Sequence, residues 1–214
     1  RSMRRKQRLS EGQIKWLYHV ITHHAPEAIG LKSPLWTRFL VEDLIEQWCG
    51  PGTPSPQVYY LEREFGFTFP NFIKEAYGSR STVVQAWLQN DFKKSLIDAK
   101  ASKARSFVID EFELERSFRI ETTEGETGAT VSRTSPEKTA FRVLYAVDLS
   151  RKGVFFLVVP RDEQTRHSVD FMSRLLKVAE KPVFAFHKAN SRFSLASFKD
   201  HSRREWPQLT LLKA

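Results

Sequence analysis

The chain has 214 residues, 41% hydrophobic and 13% aromatic, and a formal net charge of +9. That length suits one medium domain or a small domain joined to a larger one, and five Trp and 17 Phe can fill a substantial core. No apolar run approaches the ~18 residues of a spanning helix and no secretory n-region and h-region open the chain, so a cytoplasmic protein with no membrane partner is expected. The single cysteine, Cys49, excludes an internal disulfide and a Cys-based zinc site. Met3, preceded by Arg1-Ser2, is the expected native start.

The positive charge favours a polyanionic partner such as DNA or RNA, and its distribution is uneven. Residues 1–8 carry +5, 9–78 carry −3, 79–106 carry +4, 107–181 carry −1 and 182–214 carry +4. A basic tail, a basic middle segment and a basic C-terminal segment therefore flank two slightly acidic stretches.

Taken in chain order, Ser10 and Gln13 have capping-box spacing, and Ile14, Leu17, Tyr18 and Ile21 recur at helical period, predicting a helix over 10–24. A second helix is predicted from Thr37 to Trp48. Gly50-Pro51-Gly52-Thr53-Pro54 is a turn, and Ser55-Pro56 opens a third helix with Val58, Leu61 and Phe65 inward, closed by Gly66. This is the pattern of a helix-turn-helix or winged-helix unit over 9–69, behind a basic tail at 1–8. An irregular linker is expected over 70–82, then a long amphipathic helix over 83–101. From 107 the period shortens. Strands are predicted at 107–109, 117–122, 141–149, 154–159, 183–186 and 209–212, with helices at 169–179 and 195–202 and a polar loop at 125–138. The fold class is therefore α/β, an all-helical N-terminal unit followed by a mixed-sheet unit over 83–214.

Several clusters have a plain reading. His19, His23 and His24 have ligand-like spacing on one helix, but without cysteines or carboxylates in step they make a polar helix end, and no metal is expected. Glu111, Glu113 and Glu115 alternate as on a solvated strand edge. Trp87, Phe92, Phe155 and Phe156 read as core.

In the first third, Leu35-Trp36-Thr37, Val41-x-x-Leu44-Ile45-Glu46, Val58-x-x-Leu61 and Phe65-Gly66-Phe67 resemble the winged-helix segment of bacterial insertion-sequence transposases of the mariner superfamily. Further on, Trp87-Leu88, Ala99-Lys100, the strand into Asp110-Glu111, Tyr145-Ala146-Val147, Gly153 and Asp170-Phe171 resemble that family's RNase H-like transferase domain. The resemblance implies DNA cleavage and joining by three carboxylates around two divalent metals ~3.5–4 Å apart. Asp110 matches the first acid. The second falls on His187 or Lys188, and neither is an acid; the third has no counterpart before Leu211-Leu212-Lys213-Ala214.

The sequence therefore predicts no catalytic residues, no cofactor, and Asp110 as a remnant whose partner is a cation. The expected protein is a non-catalytic DNA-binding protein derived from a transposase, an oligomeric transcriptional regulator associated with a bacterial nucleoid. Its partners are double-stranded DNA and further copies of itself. Residues expected at DNA are Arg4, Arg5, Lys6 and Arg8 in the tail, Arg38, Gln57, Tyr60 and Arg63 in the helical unit, Lys93 and Lys94, and Arg203 and Arg204. The alternatives are an active transposase or nuclease with relocated acids, for which Glu180 or Asp200 would substitute, and an inhibitor that assembles with a full-length transposase.

Overall fold

The computed structural model describes residues 9–50, 65–115, 140–151, 153–161, 164–188 and 206–213. The predicted third helix, the strand at 117–122, the loop at 125–138 and the helix at 195–202 lie outside the described residues.

Local capping sets the N-terminal helices. Helix α1 (Glu11–His23) begins with the expected capping box: Ser10 Oγ accepts from the Gln13 amide at 3.3 Å, and Gln13 Oε1 accepts from the Ser10 amide at 2.8 Å. Helix α2 (Arg38–Cys49) is capped by Thr37, whose hydroxyl accepts from the Leu40 amide at 3.2 Å. Their inner faces bury Leu17, Tyr18, Val20 and Ile21, and Val41, Leu44 and Ile45.

The stretch expected to be an irregular linker holds a third helix, α3 (Phe72–Tyr77). Asn71 Oδ1 accepts from the amides of Ile73 and Lys74 at 3.1 and 3.4 Å, and Phe72 and Ile73 bury in the core. An Asx cap and one apolar pair are enough for two turns once a surface is there to receive them. The predicted long helix is continuous from α4 (Thr82–Trp87) through a π-helical turn (Leu88–Phe92) into α5 (Lys93–Ala101). The wider turn points both Leu88 and Phe92 inward.

Among the described residues six strands, β1 (Trp36–Thr37), β2 (Arg105–Glu115), β3 (Ala140–Asp148), β4 (Val154–Pro160), β5 (Val183–His187) and β6 (Leu209–Lys213), form one mixed sheet in the order β1-β4-β3-β2-β5-β6. β1, β4, β3 and β2 are mutually antiparallel neighbours, while β2, β5 and β6 run parallel. Helix α6 (Gln164–Ala179) lies between β4 and β5 in the chain. Strand β2 extends well past the predicted 107–109, and its glutamates are the reason: they break the apolar run without breaking the ladder.

Alternation along the strands divides the core in two. One face, with Val108, Val143, Tyr145, Phe156 and Phe186, carries α1, α2, α3 and the α4–α5 helix. The other, with Phe107, Ile109, Leu144 and Ala185, carries α6 through Phe171, Met172 and Leu175. The helices of 9–50 thus share a core with the sheet. Tyr18 meets Phe65 and Phe67 meets Phe156, with ring centroids 5.3 and 5.4 Å apart, and Gly66 between those phenylalanines takes a left-handed φ of 72°. Trp36, fully buried, pairs with Phe156 across β1 and β4 and donates its indole N–H to the His24 carbonyl at 2.9 Å.

Candidate functional site

Strand register builds the site. β2 and β5 are parallel neighbours with Val108 opposite Phe186. Two residues further along each chain, on the same face, stand Asp110 and Lys188. Lys188 Nζ lies 3.8 Å from Asp110 Oδ2 and 3.7 Å from Glu75 Oε2, which α3 supplies. The Phe72 ring lies beneath the ammonium, its centroid 5.8 Å away. Asp110 is buried, and its Oδ1 accepts from the Glu111 amide at 2.9 Å.

His187, the other residue at which the second acid was expected, points to the opposite face. It is buried, and its Nδ1–H donates to the Lys188 carbonyl at 2.9 Å. Burial holds its pKa below the ordinary imidazole value, with the Lys213 charge acting in the same sense; the Lys188 carbonyl and Asp110 oppose them. Lys188 is therefore the cation beside Asp110.

Tyr145 sits opposite Asp110 in the β2–β3 register, fully buried, and donates its hydroxyl to the Pro70 carbonyl at 2.8 Å. Burial, then the charges of Asp110 and Glu75, push its phenol far above the usual range, so it is a fixed neutral donor. The site is a row of alternating charge, Asp110, Lys188 and Glu75, anchored by Tyr145 and Phe72. Two divalent ions need several carboxylate oxygens converging with no positive charge among them. An ammonium within 4 Å of both carboxylates does not fit such a pair.

Glu111, expected on a solvated edge, is a correction. β2 is central, and Glu111 pairs with Arg142 at 3.4 Å with both side chains 5% exposed; Arg142 also donates to the Arg161 carbonyl at 3.0 Å. Glu113 does reach the surface, 3.4 Å from Arg161.

Of the residues expected at DNA, Lys93 and Lys94 are exposed at the start of α5, and Arg38 opens α2 beside a cleft formed with Arg105 and Arg151. The structure does not bring these two groups to one element. Arg4, Arg5, Lys6, Arg8, Gln57, Tyr60, Arg63, Arg203 and Arg204 lie outside the described residues. Sequence reasoning missed Glu75, Phe72 and Tyr145. Asn71 before an apolar pair was the available signal for α3; nothing local marks Tyr145.

Sheet and site together define an α/β protein with helices on both faces of a mixed sheet and a carboxylate–ammonium pair on two adjacent parallel strands. No protein-family model and no curated protein matches the chain. Among solved structures it is similar to the Mos1 strand transfer complex, with a TM-score of 0.34 and 13% identity over 99% of this chain and 60% of that one. It is similar also to a pre-cleavage Mos1 transpososome, with a TM-score of 0.32, 11% identity and 99% and 61% of the two chains covered. For the Mos1 mariner paired-end complex with Mn the values are 0.31, 13%, 99% and 61%. The chain spans about three fifths of the length of these structures.

Proposed function

We propose that this chain is a non-catalytic DNA-binding protein derived from a transposase, its sheet a degenerate RNase H-like core, acting as an oligomeric transcriptional regulator. The observation that carries the reading is the Lys188 ammonium 3.8 Å from Asp110, at the position where the resemblance calls for a second acid. A cation there offsets the charge of Asp110 and repels a divalent ion, so the strand geometry is retained while the chemistry is lost. The charge distribution supports a DNA partner: the basic residues concentrate in the tail, in 79–106 and in the C-terminal segment. Self-association would multiply such phosphate contacts.

The test is a mobility-shift titration with DNA from upstream of the chain's own and neighbouring genes, at several salt concentrations, beside a nicking assay with Mg²⁺ or Mn²⁺. Binding that weakens steeply with salt, without nicking, is the expected result. Metal-dependent nicking that disappears on Asp110→Ala would overturn it.

A further inference from the structure

Two helices of this chain each hold a large apolar side chain out to solvent, and the charges around the two are opposite in sign. On α2 it is Phe39, 75% exposed, beside Glu42, Asp43 and Glu46; on α5 it is Ile97, 60% exposed, beside Lys93, Lys94 and Lys100. We infer that these surfaces bind each other between copies of this chain, α2 of one protomer against α5 of its partner, in a closed two-fold dimer. This rests on the oligomeric part of the regulator reading, and it assigns Lys93 and Lys94 to a second copy rather than to DNA.

Helical period sets both faces. α2 buries Val41, Leu44 and Ile45, which leaves Phe39, Asp43 and Glu46 pointing away from the core. From Phe39 to Gly50 there is no basic residue, and neither Glu42, Asp43 nor Glu46 forms an ion pair among the described residues. The helix ending in α5 turns Leu88, Phe92 and Ala99 inward, and Lys93, Lys94, Ile97 and Lys100 stay exposed. Those three lysines likewise have no ion pair among the described residues. Asp98, the acid next to Ile97, lies about 100° round the helix, on the side away from Lys93 and Lys100.

The spacings match as well as the signs. Glu42 and Asp43 follow Phe39 by three and four residues, and Lys94 and Lys93 precede Ile97 by the same steps. Packed antiparallel with Phe39 on Ile97, α2 sets Glu42 against Lys94 and Asp43 against Lys93. Burying the ring and the isoleucine supplies the attraction, and the charges at the rim set the pairing, since α2 on α2 or α5 on α5 would bring like charges together. Both helices stand on the same face of the sheet. A two-fold axis therefore makes both contacts at once, each α2 on the partner's α5, and closes the assembly at two copies.

Sedimentation equilibrium of the full chain without DNA, with charge reversals on each helix, tests this. A dimer is expected whose dissociation constant rises with salt. The pair Glu42→Lys and Asp43→Lys, and separately the pair Lys93→Glu and Lys94→Glu, should each raise that constant about tenfold or more. Mixing the two variants restores complementary charge at both contacts, so a heterodimer should form within about threefold of the original affinity. That recovery also shows that both variants fold. A monomeric unmodified chain, unchanged dimerisation in either variant, or no recovery on mixing overturns the proposal. So does a loss of mobility shift in the Lys93→Glu, Lys94→Glu variant with sedimentation unchanged, which would give these lysines to DNA. Salt-sensitive mobility shifts by a chain that stays monomeric would leave DNA binding standing without this interface, and a dimer that shows no mobility shift would leave the interface standing without DNA binding.

Discussion

Replacing Lys188 by aspartate puts a negative charge where the ammonium now sits between Asp110 and Glu75. At 3.8 Å and an effective dielectric of ~20 the Lys188–Asp110 attraction is roughly 4 kcal/mol before solvent is counted. The lysine side chain is 43% exposed, so screening removes most of that, and Lys188→Met should cost about 1 kcal/mol. Lys188→Asp changes the sign as well as the size of the interaction, against a carboxylate only 13% exposed, and should cost about 2 kcal/mol. For a domain of this length that is a melting-point loss of roughly 2–4 °C for the methionine variant and twice that for the aspartate. The aspartate variant alone gathers three carboxylates without a cation, so Mn²⁺ should raise its melting temperature; a ligand at a hundred times its Kd stabilises by about 2.7 kcal/mol. Thermal denaturation followed by circular dichroism, with and without Mn²⁺, measures both effects. An equal Mn²⁺ response in the unmodified protein, or an aspartate variant no less stable than the methionine variant, would refute the placement of Lys188 as the counter-ion of Asp110.

Three further outcomes are expected. Asp148 is held below the usual carboxylate range: burial alone would raise it, but the hydrogen bonds from Ser150, Arg105 and the Arg151 amide outweigh burial. Its share of stability is present above an unfolded pKa of ~3.9 and disappears as pH falls through the lower folded value, so Asp148→Asn, at a cost of about 3 kcal/mol near neutrality, should flatten the acid limb of urea denaturation below pH ~4. His187, whose folded pKa is depressed by burial, contributes fully above an unfolded value of ~6.5 and loses stability below it; His187→Leu should shrink the difference in urea midpoint between pH 7.5 and 5.5. Tyr145→Phe should cost about 1 kcal/mol in chemical denaturation, since the Pro70 carbonyl loses its 2.8 Å partner, and leave Lys188 beside Asp110.

Helix positions were legible where a cap and a periodic apolar face coincide in sequence, as at Ser10–Gln13 and Thr37. β2 was under-read because Glu111 and Glu113 look like the end of a strand until Arg142 and Arg161, about thirty and fifty residues later, arrive to pair with them. Helix α3 was under-read because six residues have too little periodicity to stand out, and the helix depends on a surface to bury Phe72 and Ile73. The cleft was invisible in the sequence: Arg38 reaches it through the β1–β4 pairing, while Arg105 and Arg151 come to it through Asp148, which the β2–β3 pairing sets between them.

By itself the sequence determined that the end of the β5 strand carries His187 and Lys188 and no carboxylate, because residue identity needs no coordinates. It left His187 and Lys188 as alternatives, since a one-residue shift moves every side chain of a strand to the other face. Only the parallel pairing of β5 with β2 decided between them, placing Val108 opposite Phe186 and so Lys188 beside Asp110, with His187 turned into the opposite core. Glu75, the third charge in the row, owes its place to tertiary packing alone, for α3 docks on the sheet through Phe72 and Ile73.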